Sequence, residues 1–120
     1  GEIMDRKIAD KVKEILLPHM REQEFEPGEH LWTQGTHNGM LVDVIKGRIK
    51  IFRYMPDGRQ VLMYVFGPGT IFGFMPLMDD KPYPANAAAV GHVKAKVMSR
   101  RDFIDLIPKN PDVCRFMLYE

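Results

Sequence analysis

The sequence predicts a mainly β domain with helices at its two ends, built as an antiparallel barrel, roll or sandwich. Three observations point there. Between Phe25 and about Met98, short β-prone runs are punctuated by Gly28, Gly35, Gly39, Gly47, Gly58, Gly67, Gly69, Gly73 and Gly91. Val93-Lys94-Ala95-Lys96-Val97 alternates strictly, so one face is apolar and the other carries lysines. Helical periodicity is confined to the flanks, and strands that follow one another without helices between them favour antiparallel pairing.

The elements follow in order. Ile8, Val12, Ile15 and Leu16 recur at the spacing of one helix face, and Pro18 ends that helix. Lys7, Lys11 and Lys13 lie mostly off the stripe. So short a helix is marginal alone in water, so it is expected to dock on something larger. Val42, Val44 and Ile45 then lead through Lys46-Gly47 into Arg48-Ile49-Lys50-Ile51-Phe52-Arg53-Tyr54, which begins as an alternating strand. Pro56-Asp57-Gly58-Arg59 is a turn signature before the strand-like Val61-Leu62-Met63-Tyr64-Val65-Phe66. Ser99-Arg100-Arg101-Asp102 fits a capping box opening a short helix with Phe103, Leu106 and Ile107 on its buried side, stopped by Pro108. Asn110-Pro111 supplies an N-cap and a first-position proline for a last helix carrying Val113, Phe116 and Met117. Its apolar stripe has only begun by Glu120, so the natural chain is expected to continue.

Composition narrows the function. The 120 residues are 45% hydrophobic and 28% charged, enough for one domain with a real core and too few for two domains. Seventeen Lys and Arg against sixteen Asp and Glu leave a net charge of +1, without the basic footprint of a nucleic-acid surface. No apolar run has the length of a bilayer span, and nothing resembles a secretion signal. The single cysteine, Cys114, cannot form an internal disulfide, which fits a cytoplasmic setting.

The ordered series of turns resembles a known family. Phe25-Glu26-Pro27-Gly28-Glu29, Gly35, Gly47-Arg48-Ile49-Lys50-Ile51, Pro56-Asp57-Gly58-Arg59, Gly67-Pro68-Gly69 and Phe72-Gly73 resemble the cyclic-nucleotide-binding β-roll. The form is that of bacterial transcription regulators of the cAMP-receptor/fumarate-nitrate-reductase (CRP/FNR) family. The likeness runs from about residue 3 to the end. It implies an antiparallel double-stranded β-helix, jelly-roll-like, with flanking helices. It also implies a division into a sensor over residues 1–110, with its N-terminal helix, and the start of a dimerisation helix over 111–120. In the family that helix makes a homodimer and leads to a DNA-binding helix-turn-helix, which is absent from this chain.

The family's ligand cassette is altered here. Cyclic-nucleotide binders carry Phe-Gly-Glu-Leu and, after a short helix, Arg-Ser/Thr-Ala. The glutamate accepts from the ribose hydroxyl, and the arginine and backbone amides hold the cyclic phosphate. This chain reads Phe72-Gly73-Phe74-Met75 and then Lys81-Pro82-Tyr83-Pro84-Ala85-Asn86-Ala87. Phenylalanine replaces the glutamate, and Tyr83 or Pro84 stands at the arginine position. Lys81 offers a point charge without the bidentate fork. Weak cyclic-nucleotide binding or none is expected. Ile51, Met63, Phe72, Gly73, Phe74, Met75, Tyr83 and Pro84 are the expected effector-binding residues. They suit an apolar or aromatic small molecule, or haem as a cofactor. A pocket filled by its own side chains stands beside that reading, as does a cAMP or cGMP sensor with a divergent cassette.

Other chemistry finds little support. His19, His30, His37 and His92 match no zinc spacing, and one cysteine cannot hold an iron-sulfur cluster. Asp79-Asp80 reads as a solvated loop, Gly67-Pro68-Gly69 as a turn, and Arg100-Arg101 as a solvent-exposed pair. No nucleophile stands beside a base. An enzyme is therefore not expected, although an enzyme or metal protein of cupin-like jelly-roll shape is the remaining contrast.

Overall fold

A computed structural model describes residues 6–118 apart from 38 and 80; the side chains of residues 6–9, 75, 76, 79 and 116–118 lie outside that description. In chain order the elements are α1 (Arg6–Leu16), β1 (Arg21–Phe25), β2 (His30–Trp32), β3 (Met40–Tyr54), β4 (Gln60–Phe66), β5 (Ile71–Phe72), α2 (Phe74–Asp79), β6 (Asn86–Ser99), α3 (Arg100–Leu106) and α4 (Pro111–Leu118). One antiparallel sheet runs β1-β6-β3-β4, with β2 on β6 and β5 on β3. The mainly β class and the flanking helices read from the sequence are both present. None of the helices among the described residues is long and apolar enough to cross a membrane.

Two cores share the sheet. β3 and β6 pair over most of their length, with Val42 opposite Val97 and Ile49 opposite Ala89. Their inward side chains, Val42, Val44, Ile49 and Ile51 with Ala87, Ala89, Val93, Ala95 and Val97, form a roll interior that also holds Phe25 and Leu31. On the other side of the strands, Leu41, Ile71 and Met98 meet Val12 and Leu16 of α1, Phe103 of α3 and Val113 of α4 in a helix-side core. The period of two along a strand thus feeds both layers. Val93, Ala95 and Val97 are buried as the alternation requires, while Lys94 and Lys96 on the opposite face are half-buried.

Several local readings hold. The Asp102 amide donates to the Ser99 hydroxyl at 3.2 Å, capping α3. Gly58 and Gly69 take φ +88° in their turns. Others are corrected. A helix, α2, does stand between strands, because Phe74 and Leu77 are spaced to bury one side against the helix-side core. Asp79 is therefore helical, whereas Asp80 lies outside the described residues. Arg100 is half-buried and its Nε donates to the Leu77 carbonyl at 2.9 Å, while Arg101 is exposed. The Asn110 side-chain amide turns back to donate to the Leu106 carbonyl at 3.1 Å. Val12 and Leu16 are buried as expected, and the Ile8, Phe116 and Met117 side chains lie outside the description.

Candidate functional site

Rings fill the roll interior. Small residues on β6, Ala87, Ala89 and Ala95, leave width that bulkier side chains from the other elements occupy. Trp32 and Tyr83 stack at 4.4 Å with their planes 8° apart. Trp32 also meets Phe72 at 5.7 Å, and Phe72 stacks on Phe66 at 4.6 Å. Tyr64 extends the run, nearly parallel to Phe66 at 5.8 Å. A column of five rings therefore passes from buried Tyr83, 2% exposed, to Tyr64, 59% exposed. Its spacings are those at which aromatic pairs attract beyond simple burial.

Tyr83 is held at three points. Its amide donates to the Thr36 carbonyl and its carbonyl accepts from the Gly35 amide, each at 2.9 Å. Its hydroxyl accepts from the Met40 amide at 2.9 Å, where β3 begins. A Cβ on Gly39 would lie 2.6 Å from that hydroxyl, so a glycine lets the ring tip pass. Burial raises the phenol's pKa above the ordinary 10.0, and the Met40 hydrogen bond works against that rise. The folded state therefore keeps the proton longer than the unfolded chain does. The stability this contributes is complete below pH 10 and is lost as pH rises through the higher folded value. Tyr83→Phe should destabilise the domain by about 1–2 kcal/mol by stranding the Met40 amide. It should also flatten that alkaline decline, as chemical denaturation at neutral and alkaline pH will show.

The expected effector residues divide. Ile51, Phe72 and Tyr83 come together in the roll interior. Phe74 turns to the helix-side core, where its ring meets Phe103 edge-on at 5.9 Å. Met63 is exposed on β4 and Pro84 on the loop before β6. Gly73, at φ +106°, lies where a Cβ would meet the Met40 carbonyl at 2.5 Å. The Met75 side chain lies outside the described residues. Trp32 and Phe66 join the interior without having been singled out as site residues. A lone tryptophan beside a leucine, Leu31-Trp32, was the available signal, since so large an apolar side chain seldom stays in water.

Electrostatically the interior is almost bare. Among the described residues the buried polar or charged side chains are Asp43 and Asn86, and neither is a cation. Asn86 is committed to structure: its Oδ1 accepts from the Gln34 amide at 2.8 Å, and its Nδ2 lies 3.4 Å from the Phe52 carbonyl. Pro82 and Pro84 have no amide hydrogen, and the one on Tyr83 is engaged with Thr36. Lys81 is exposed. An entering phosphate would thus meet neither a guanidinium nor a free donor across residues 82–84. His19, His30, His37 and His92 are all exposed, and no three His, Cys, Asp or Glu side chains among the described residues gather to hold a metal.

Comparison with known proteins fits this architecture. The family model for the cyclic nucleotide-binding domain matches residues 22–110. The chain is 28% identical over 103 residues to a CRP-like cAMP-activated global transcriptional regulator of Mycobacterium tuberculosis, covering 86% of this chain and 46% of that protein. It is 27% identical over 111 residues to the cyclic AMP receptor protein of Thermus thermophilus, covering 92% of this chain and 51% of the relative. The crystal structure of the Thermus thermophilus catabolite activator protein superposes with a TM-score of 0.78 at 25% identity, over 97% of this chain and 53% of that one. The chain thus spans about half the length of the curated relatives it matches, 46% and 51%.

Proposed function

Because this chain belongs to the cyclic nucleotide-binding domain family, and its relatives are CRP-like transcription regulators, we propose that it is the sensory part of a CRP/FNR-type regulator whose roll reads a signal other than a cyclic nucleotide. The observation that carries this reading is the ring column, which takes in Phe72 and Tyr83 of the altered cassette, in a chain where Tyr83 or Pro84 stands at the arginine position. The ligand class it suits is apolar or aromatic, a small molecule or a haem-like macrocycle, because such a molecule exchanges ring for ring without stranding a charge.

In this reading residues 1–110 form the sensor and the helix from Pro111 begins a homodimer contact. DNA is read in the cytoplasm by a domain beyond this chain. A ligand that displaces part of the column favours one placement of α4, and the two-state balance shifts by the difference in its affinity for the two states. The roles are those of binding and coupling, with no catalytic group.

Calorimetry with cAMP and cGMP is the test. No binding is expected at ligand concentrations up to about 1 mM, corresponding to less than about 4 kcal/mol of affinity. Micromolar binding of either nucleotide would overturn the proposal and favour the second reading, a cyclic-nucleotide sensor with a divergent cassette. That reading draws its support from the cAMP-linked names of the relatives. Trp32, the only tryptophan, reports directly on the column, so haemin and planar aromatic probes can be screened by its fluorescence.

A further inference from the structure

The turn at residues 67–70 lies between two stacked rings. Phe66 ends β4 and Phe72 lies in β5, so the Phe66–Phe72 pair, 4.6 Å apart, closes over Gly67-Pro68-Gly69-Thr70. Inside the sheet the turn is fixed to β3, the Gly69 amide donating to the Val44 carbonyl at 2.9 Å and the Val44 amide to the Thr70 carbonyl at 3.0 Å. From outside it is gripped by α1: the Lys13 Nζ donates to the Gly69 carbonyl. The same ammonium lies 3.3 Å from Asp43 Oδ1, a buried carboxylate oxygen without a hydrogen bond. Lys13 itself is largely covered, its side chain 20% exposed, although the helix periodicity placed it off the apolar stripe.

Asp43 explains the arrangement. It sits opposite Ile71 of β5, on the sheet face that turns toward α1, between Val42 and Val44, which point into the roll. A carboxylate buried at this joint needs a cation, and a lysine ammonium has donors enough to serve both the carboxylate and the turn. At its other side α1 touches α4: Val12 and Leu16 share a core with Val113, and Lys11 pairs with Asp112 at 3.3 Å. An unbroken path therefore runs from the ring column through the turn and α1 to α4.

We propose that Lys13 is a positioning residue, the clasp through which displacement of the Phe66–Phe72 stack reaches α4. Its use as a signal route rests on the sensory reading above, whereas the mechanical linkage does not depend on any ligand. The competing route runs through apolar packing alone, from Ile71 by way of Leu41 to Val113.

The test perturbs one end and reads the other. Phe66→Leu loosens the stack, and amide hydrogen exchange is followed at Val113 and Cys114 in the 120-residue chain. In the parent background exchange there should rise by roughly threefold or more, the scale of coupling carried through packed contacts. In the Lys13→Met/Asp43→Asn background, which removes both charges together, the same Phe66→Leu change should leave α4 exchange unaltered. Asp43→Asn alone keeps the bond to Gly69 and should keep the response. An equal response in both backgrounds would assign the coupling to the apolar core, and no response in either would remove the linkage; either result overturns the proposal. Should the double variant fail to fold, Lys13→Ala/Asp43→Asn, which likewise has no donor for the Gly69 carbonyl, makes the same comparison, and an undiminished response there overturns the clasp. The calorimetric test is separate, so a cyclic-nucleotide ligand would sink the sensory reading and leave the clasp standing.

Discussion

Replacing Trp32 with alanine should cost this domain about 3–5 kcal/mol, the range for deleting a large aromatic from a packed interior. Trp32 is 8% exposed and stands second in the column, in contact with Tyr83 on one side and Phe72 on the other. Its loss removes two ring contacts and leaves a cavity walled by alanines of β6, which cannot reach in to close it. Urea denaturation should show the loss as a lower midpoint, and the melting temperature should fall by roughly 15 °C. Because the hole has the shape of an indole, added indole should bind the variant and restore part of the lost stability by mass action. Free indole should do nothing to the parent chain, whose slot is full. A Trp32→Ala protein as stable as the parent would show that the column is loosely packed, and would remove the basis for placing the signal there.

Gly47→Ala should be nearly as damaging for a different reason. Gly47 sits within β3 at φ +89°, and a Cβ there would lie 2.4 Å from the His92 carbonyl and 3.1 Å from the Val93 Cα. The closest contact is backbone of β6, the strand's partner, and the Val93 Cγ2 at 3.0 Å belongs to a fully buried side chain, so neither can readily give way. The left-handed conformation alone costs about 1–2 kcal/mol, and forcing the two strands apart adds about 1–3 kcal/mol. Gly58→Ala is the matched control. Gly58 has φ +88° with nothing within 4 Å of the added carbon, so only the conformational part, about 1–2 kcal/mol, should appear. Equal losses at the two positions would show that β3 and β6 can part there without penalty.

Much of this architecture was legible one residue at a time. The alternation at 93–97 declared its buried face, Ser99 declared a helix start, and Gly28, Gly35, Gly58 and Gly69 declared turns, whereas Gly47 and Gly91 lie within β3 and β6. Each depends on a few adjacent residues, and local sterics and hydrogen bonding decide such features. The altered cassette was read through the resemblance to the family, which sets Tyr83 or Pro84 at the arginine position. The candidate site was less so. Phe74 and Phe72 are two apart with Gly73 between them at φ +106°, and they enter different cores. Simple alternation would have put both rings on one face. Lys13 read as a residue off the apolar stripe because its partner, Asp43, is thirty positions away along the chain.

The amino-acid sequence by itself determined a mainly β, antiparallel domain with helical ends, and its resemblance to the cyclic-nucleotide-binding family set Phe74, and Tyr83 or Pro84, at the positions where that family carries its glutamate and arginine. Local conformational preference and residue chemistry are carried by neighbours along the chain, so they survive without coordinates. Only the tertiary structure decided that Trp32, Phe66, Phe72 and Tyr83 form one column, and that Lys13 bridges α1 to the turn beside it. Those contacts depend on which strands pair and in what register. Pairing is settled by the burial of the whole sheet at once, a property that no single stretch of the sequence contains.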